Sequence, residues 1–234
     1  MKTAKVVVMN FSGNVGKTTV AKHLLVPRLD SARLISIESI NATDDGAVED
    51  QMRGRQFGEL IEALPLMDSV VVDVGASNVE DFISRMKSYK GAHEDFDYFV
   101  IPTVGKNKQI KDTIATIMAL SEIGVPREKI VVIFNQLDQE ETVSQVFPSV
   151  IGYHDDAQSF TFNSNAVIYA SELFAKLQGA TLNEVMAVDV AELKEQLKSA
   201  TSDEKLAISR KISQRRLAES VQENFDQAFE ALFA

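Results

Sequence analysis

Cysteine is missing from this 234-residue sequence, and histidine is scarce, with only His23, His93 and His154. The absence of cysteine excludes disulfide bonds, cysteine-ligated zinc or iron–sulfur centres and a thiol nucleophile. Three histidines far apart in the sequence do not form a histidine-rich metal motif. A metal ion in this protein would therefore be a hard cation with oxygen ligands, and we expect Mg²⁺.

Long apolar runs are also absent. The first apolar run, residues 6–9, is too short for a signal peptide, and no later stretch approaches the ~20 apolar residues of a membrane-spanning helix. Acidic residues outnumber basic ones by 34 to 24, which gives a formal net charge of −10. Such a surface repels nucleic-acid phosphates except at a local basic patch. These features predict a cytoplasmic protein.

Short β-branched runs alternate with longer segments of helical periodicity over the first 135 residues. The strand candidates are continuously apolar, which is typical of strands that are buried on both faces of a sheet. This order predicts an α/β fold with a mostly parallel sheet flanked by helices. The predicted strands are residues 4–10, 33–38, 69–74, 96–103 and 129–135. The predicted helices are residues 16–26, 47–64, 79–89 and 106–123.

The pattern changes after residue 136. We expect residues 147–165 to be irregular, with a weak sixth strand at 159–163, and helices to dominate from residue 165 onward. No repeat, low-complexity tract or linker composition marks a domain boundary. We therefore expect one domain over residues 1–234, with a core over 1–180 and a helical extension over 181–234.

The most informative segment lies between the first predicted strand and the first predicted helix, where residues 10–19 are NFSGNVGKTT. A bound phosphate chain needs backbone N–H donors at close range and a helix N-terminus, and Gly13 and Gly16 favour both at this position. Lys17 would meet the β- and γ-phosphates of a nucleotide. The Thr18 hydroxyl would be a Mg²⁺ ligand.

The loop departs from the strict motif G-x-x-x-x-G-K-[ST], because the first glycine of that motif falls on Phe11. By itself, Gly-Lys-Thr also fits a glycine-containing turn with a solvated lysine. A second motif favours the phosphate loop: residues 70–73, VVVD, form an apolar strand that ends in a carboxylate. A carboxylate there holds Mg²⁺ in P-loop proteins. Together the two motifs predict a nucleotide site with Mg²⁺ at Thr18 and Asp73.

The loop resembles the deviant Walker A loop of the ParA/MinD-type partition and positioning ATPases, whose pattern is K-G-G-x-G-K-[ST]-[ST]. The matching positions are Gly13, Val15, Gly16, Lys17, Thr18 and Thr19. Asn14 stands in place of the second glycine, and Ser12 in place of the signature lysine. In that family the lysine reaches the phosphates of the partner subunit in a dimer. An uncharged serine cannot supply that charge.

The resemblance implies roles for residues outside the loop. Glu38 falls where the family has the aspartate that positions the attacking water, although a solvated carboxylate at a strand end would look the same. The segment that starts at Asp73 parallels the second nucleotide motif of the family. Residues 101–103, IPT, resemble its strand-ending proline segment.

Asn135 falls where the family places an asparagine that hydrogen-bonds the base. Residues 135–138, NQLD, also fit the N-K-x-D pattern of guanine-specific proteins, with Gln136 in place of the lysine. An N-x-x-D sequence after a strand is in addition common as turn chemistry. We expect ATP rather than GTP.

The C-terminal third has a basic stretch at residues 201–216, where five basic and two acidic residues give a local charge of +3. The basic residues are Lys205, Arg210, Lys211, Arg215 and Arg216. Members of the resembled family bind DNA through basic surface near the C-terminus, which implies a DNA-facing patch here. A solvated helix face with ion pairs to Asp203 and Glu204 would account for the same pattern.

The predicted last helix, residues 217–233, is amphipathic, and its polar face is acidic. A helix that binds anionic lipid would carry Lys or Arg on that face. We therefore expect no membrane anchor and a helix that docks on the core or binds a partner.

These features predict a Mg²⁺-dependent ATPase that acts as a nucleotide-driven switch. Lys17, Glu38 and Asp73 are the predicted catalytic residues. The predicted nucleotide-binding residues are Gly13, Asn14, Val15, Gly16, Lys17, Thr18, Thr19 and Asn135. The resemblance implies a role in plasmid stability, plasmid partition or intracellular positioning. It also implies a homodimer and plasmid DNA as partner, directly or through a DNA-bound adaptor.

Two alternatives remain open. A kinase or synthetase on the same scaffold would need an acceptor pocket, which we expect between the fourth strand and residues 152–165. A nucleotide-binding scaffold with little turnover is also consistent with Ser12.

Overall fold

A computed structural model describes residues 3–37, 50–52, 57–177 and 179–234, with residues 50–52 described as backbone only. In this part of the chain, seven parallel strands form one sheet in the order β3-β2-β4-β1-β5-β6-β7. The strands are β1 (Lys5–Val8), β2 (Arg33–Ile37), β3 (Asp50–Met52), β4 (Val70–Val74), β5 (Tyr98–Thr103), β6 (Ile130–Leu137) and β7 (Val167–Tyr169). The predicted α/β fold with a parallel sheet is confirmed.

Helices follow the strands as crossover connections and then form the C-terminal part. They are α1 (starting at Lys17–Thr19), α2 (Phe57–Ala63), α3 (Val79–Ser88), α4 (Asn107–Glu122), α5 (Val143–Val146), α6 (Pro148–Ala157), α7 (Leu173–Lys176), α8 (Leu182–Met186), α9 (Val190–Ser199) and α10 (Ser202–Leu232). No helix in the described ranges is long and apolar enough to cross a membrane.

Both faces of the sheet are buried, as the continuous apolarity of the strands predicts. Along β1 the side chains alternate: Val6 and Val8 pack on one face, and Val7 and the following Met9 pack on the other. The first face is covered by α1, α7, α8 and α10, and the second by α2, α3, α4 and α6. Because β1 lies at the centre of the sheet, its carboxyl end opens between β4 and β5.

The first helix changes its geometry along its length. It starts as α-helix at Lys17–Thr19, continues as π-helix over Val20–Leu25 and ends as a 3-10 turn over Val26–Arg28. The Arg28 Nη1 donates to the carbonyls of His23 and Leu24, both at 3.1 Å. Its Nη2 also lies 2.7 Å from the carboxylate of Asp226 on α10. Arg28 therefore caps the end of α1 and ties it to α10.

Three sequence predictions are wrong in detail. Among the described residues of the predicted helix 47–64, Asp50–Met52 is a strand that pairs with β2, and Phe57–Ala63 is α-helix. Residues 147–165 are not irregular throughout, because Pro148–Ala157 is a helix with proline in its first turn, where the missing N–H costs nothing. Residues 159–163 form only an isolated bridge, between Thr161 and Val131. The last strand is instead β7, within the segment predicted to be helical.

The outer edge of β7 is covered by a side chain of α10. The Nδ2 of Asn224 donates to the Val167 carbonyl at 3.0 Å, and its Oδ1 accepts the Tyr169 N–H at 3.0 Å. One amide thus makes the two hydrogen bonds that a further strand would make. Unpaired backbone groups at a sheet edge promote association with another sheet. Asn224 closes this edge because it bonds to these groups.

We expect Asn224→Ala to lower the free energy of unfolding by about 1–3 kcal/mol, because it leaves two backbone groups of β7 without their partner. At about 2–4 °C per kcal/mol, the loss is visible as a lower melting temperature in a thermal scan. Ser220→Ala, an exposed position of the same helix, is the control and should change stability by less than about 0.5 kcal/mol. Equal melting temperatures for both variants would contradict the role of Asn224.

Candidate functional site

The loop after β1 joins the carboxyl end of the central strand to α1. Asn14 and Gly16 have left-handed backbone conformations, with φ of 59° and 86°. Left-handed residues turn backbone N–H groups toward one side of a loop, which is how phosphate-binding loops form their concave surface. Gly13, Asn14 and Thr18 are exposed, whereas Val15 is fully buried. The mouth of the loop is therefore open to solvent, and its base is anchored in the core.

Lys17 lies inside the curve of this loop. Its side chain is buried, and Nζ donates to the Ser12 carbonyl at 2.7 Å and to the Asn10 carbonyl at 3.3 Å. Burial lowers the pKa of Lys17 because it disfavours the charged form, and the nearby charge of Asp73 partly offsets this effect. A buried ammonium that is held by carbonyls fits a site for an anion such as a phosphate chain.

Thr18 and Asp73 lie next to each other beside Lys17. The Thr18 hydroxyl donates to Asp73 Oδ2 at 2.6 Å, and Asp73 is 3 % exposed near the end of β4. Hydroxyl and carboxylate oxygens are ligands that suit Mg²⁺, which usually takes few protein ligands and completes its shell with water and phosphate oxygens. Within the described ranges, no three His, Asp or Glu side chains cluster into an all-protein metal site. The residues present therefore fit a nucleotide-bound Mg²⁺.

Buried polar groups hold the start of the loop from the opposite side. The Nδ2 of Asn10 donates to the Pro102 carbonyl at 2.9 Å and to Thr113 Oγ1 on α4 at 2.8 Å. Thr113 Oγ1 in turn lies 2.8 Å from Thr103 Oγ1 on β5. The side chains of Asn10, Thr103 and Thr113 are completely buried, so this network fixes the entry of the loop between β5 and α4.

The next two loop residues are also bound to α4. The N–H of Phe11 donates to Thr116 Oγ1 at 3.1 Å, and the Ser12 hydroxyl donates to Asp112 Oδ2 at 2.7 Å. The sequence prediction missed these residues of α4. A signal for Thr113 and Thr116 was present: they are three positions apart and so share one helix face, and the buried face of a helix is usually apolar.

No protein-family model matches the chain, and no curated protein is significantly similar to it in sequence. Solved structures do match. The apo form of McdA from Cyanothece superposes with a TM-score of 0.57 at 12 % identity, over 98 % of this chain and 97 % of that one. MinD from Pyrococcus horikoshii in complex with Mg-ADP gives 0.51 at 16 % identity, over 94 % and 96 %. The ParA of pNOB8 gives 0.51 at 12 % identity, over 97 % and 98 %.

The chain has the fold of the ParA/MinD-type P-loop ATPases. At these identities the similarity establishes the architecture. Ser12, which the sequence resemblance aligns with the ParA/MinD signature lysine, is 1 % exposed and bonded to Asp112. Lys108 lies 3.6 Å from the same carboxylate and is largely exposed. The side chain of Ser12 is thus bonded within the same chain, to α4.

The loop ends against β6. The Nδ2 of Asn135 donates to the Val15 carbonyl at 2.8 Å, and Oδ1 accepts the N–H of Gln136 at 2.9 Å. Asn135 is 4 % exposed, and both polar atoms of its amide bond to the protein. Its predicted contact with the base of a nucleotide stays a prediction. Asp138 is the last residue of the alternative N-K-x-D pattern of guanine-specific proteins. Its backbone N–H donates to Glu141 Oε2 at 3.2 Å.

The structure brings most of the predicted site residues together at the carboxyl ends of β1, β4 and β6. These are Gly13, Asn14, Val15, Gly16, Lys17, Thr18, Thr19, Asp73 and Asn135. Glu38, the predicted water-positioning residue, lies outside the described residues. Its role stays a prediction.

Thr113→Val keeps the shape of the side chain and removes the hydroxyl that Asn10 donates to. We expect it to lower the free energy of unfolding by about 1–3 kcal/mol, because a completely buried amide loses one of its two acceptors. Ser121→Ala removes another hydroxyl from α4, one bonded only to the Ile117 carbonyl one turn back, and serves as the control. Chemical denaturation measures both. Equal midpoints for the two variants would show that the buried network does not stabilise the loop entry.

Proposed function

We propose that the protein is a Mg²⁺-dependent ATPase that switches between conformational or assembly states as it binds and hydrolyses ATP. The observation that carries this proposal is the pair of contacts at the start of α1. The ammonium of Lys17 is held within the curve of the loop, and the Thr18 hydroxyl is bonded to the carboxylate of Asp73. These contacts support the proposal because a cation and two oxygen atoms that suit Mg²⁺ lie together at the start of a helix, whose N-terminus adds its positive end.

In the proposed mechanism, water attacks the γ-phosphate in line with the leaving group. Lys17 and the N–H groups of the loop position the phosphates and neutralise their charge. Thr18 and Asp73 would hold a Mg²⁺ ion, which would supply charge stabilisation for the reaction. Glu38 orients the attacking water. Such a site works by positioning and electrostatics, so no strong base is required.

The proposed biological role is plasmid stability, plasmid partition or intracellular positioning in the cytoplasm of a bacterium. It is supported by the shared fold with ParA and MinD and by the loop SGNVGKT, residues 12–18, which resembles that of StbB, a plasmid stabilisation protein. The proposed partners are a second copy of the chain and plasmid DNA, bound directly or through a DNA-bound adaptor. We further propose that residues 1–234 form one domain, with the helical extension on the same sheet.

A second candidate function is transfer of the γ-phosphate to a small molecule. It is favoured by an open cavity of about 460 Å³ beside the ends of β6 and β7. Leu137, Ile151, Phe162, Ser164 and Tyr169 are among its lining residues. Two of them, Phe162 and Ser164, lie within residues 152–165, where one side of the acceptor pocket was predicted, whereas the predicted fourth strand, residues 96–103, does not line this cavity. Hydrolysis that a small molecule stimulates, with DNA and partners having no effect, would favour this alternative.

We expect Lys17→Ala to weaken ATP binding by at least about 30-fold and to abolish turnover, because truncation of a buried, hydrogen-bonded charge costs about 2–5 kcal/mol. Calorimetric binding and phosphate release with Mg²⁺, for ATP and GTP, measure both effects. Lys22→Ala, further along the same helix, is the control and should behave as the wild type. Unaltered turnover by Lys17→Ala would refute the assignment of the site.

Light scattering after size exclusion, in the same nucleotide states, tests the switch. An ATP-dependent dimer would support partition-type assembly and would mean that a residue other than Ser12 contacts the partner's phosphates. ATP that stays intact and bound to a monomer would instead favour a scaffold with little turnover.

The DNA hypothesis places contacts on the basic stretch, which forms the first half of α10. Lys205, Arg210, Lys211 and Arg216 are exposed there, whereas Arg215 is half-buried and paired with Glu219 at 2.9 Å. If this surface binds DNA, the double variant Arg210→Glu/Lys211→Glu should weaken binding and flatten its salt dependence by about one unit of slope per lost phosphate contact.

Fluorescence anisotropy with duplex DNA at increasing salt concentration measures this effect. The control is Lys87→Glu/Lys90→Glu, at the end of α3 on the opposite face of the sheet. Equal effects of the two double variants would identify the basic stretch as a solvated helix face.

A further inference from the structure

We propose that Asn135 is a positioning residue of the phosphate loop, so that affinity for the triphosphate depends on it whichever base is attached. The inference rests on the proposed nucleotide site and gives Asn135 a role other than reading the base. Three separate features of β6 and the loop support it.

The first feature is the bonding of the amide. Asn135 lies on a buried strand, yet its Nδ2 reaches across to the Val15 carbonyl in the middle of the loop, 120 positions earlier in the chain. Its Oδ1 is fixed by the N–H of Gln136. The orientation of the amide is thereby set from both ends, and it holds the loop residue just before Gly16 in place.

The second feature is the local distortion of β6. The register between β6 and β7 shifts between Asn135 and Leu137, and the intervening Gln136 has a left-handed φ of 59°. A left-handed conformation is unfavourable for glutamine, and bulges of this kind turn a side chain into a new direction. Here the distorted strand presents Asn135 to the loop. Such strain persists where the surrounding structure compensates for it.

The third feature is the space at Gly16. A Cβ atom on Gly16 would lie 2.1 Å from Asn135 Nδ2. Any side chain at residue 16 would therefore push the amide away from the Val15 carbonyl. Gly13 in the same loop has open space at the corresponding point, with no atom within 4 Å. The glycine at residue 16 thus serves the close approach of Asn135 as well as the left-handed turn.

The loop is consequently held from two sides by different elements. Residues of α4 bind Asn10, Phe11 and Ser12 at its entry, and Asn135 binds Val15 at its exit. Loss of the second contact would free the backbone N–H groups just ahead of α1. In the proposed site those groups would bind the phosphates, which all nucleoside triphosphates share, so the effect should not depend on the base.

The binding test uses the whole chain with Mg²⁺ and three ligands: ATP, GTP and inorganic tripolyphosphate. The variants are Asn135→Ala and Asn135→Thr, since threonine suits a strand but is too short to reach the Val15 carbonyl. The matched control is Asn163→Ala, which removes another asparagine that donates to a backbone carbonyl, that of Ala231 at 2.8 Å. We expect both Asn135 variants to bind all three ligands about tenfold more weakly, by the same factor, and the control to bind as the wild type.

The outcomes separate the inference from the proposed function. If the variants lose affinity for ATP alone and bind tripolyphosphate as the wild type does, Asn135 reads the base and the inference is wrong. If they bind every ligand as the wild type does, the inference is again wrong while the nucleotide site stands. If the wild type binds none of the three ligands, the proposed function fails and takes the inference with it.

A ligand-free cycle tests the contact itself and remains informative if single variants are unstable. Gly16→Ala should lower the melting temperature strongly in the wild type and much less in the Asn135→Ala background, because the second change removes the atom that the new Cβ meets. The strain of alanine at a left-handed φ is present in both backgrounds, so it cancels in the difference between the two decreases in melting temperature. An equal drop in both backgrounds would overturn the proposed contact.

Discussion

The loop after β1 has to stay open at its mouth while it holds a buried ammonium and keeps Asn14 and Gly16 in left-handed conformations. An unsupported loop of eight residues would lose this shape, because backbone order alone costs about 1–2 kcal/mol per residue. The surrounding fold supplies the support through side chains: Thr113 and its neighbours on α4 at the entry, and Asn135 on β6 at the exit. The geometry of Lys17 and Thr18 depends on these contacts.

Much of this site was predictable from the sequence, and the reason is local. In a parallel α/β fold, the segment between a buried strand and the next helix lies at the carboxyl end of the sheet, so Lys17 and Asp73 could be placed together from their positions alone. The contacts that support the loop were not predictable in this way. Asp112 and Thr113 are about a hundred residues from the loop, and which face of α4 meets it depends on how the helix packs on the sheet.

The errors in the fold have a related cause. The two missed strands, β3 and β7, are three residues long and lie at the edges of the sheet. So short a segment has little preference of its own, and its conformation is decided by the strand it pairs with, β2 or β6. The central strands, β1 and β4, carry continuous apolar runs that remain recognisable in isolation. Sequence patterns thus identified the centre of the sheet, and with it the site, better than the margins.

Arg28 gives the first helix a mechanical property. The helix begins at the loop after β1 and ends at an arginine whose side chain is 9 % exposed and paired with Asp226 on α10. Its start is therefore fixed by the loop, and its end is fixed by the ion pair with the C-terminal helix. A displacement of the loop along the helix axis must either shift α10 or be absorbed in the wider π-helical turns between Val20 and Leu25.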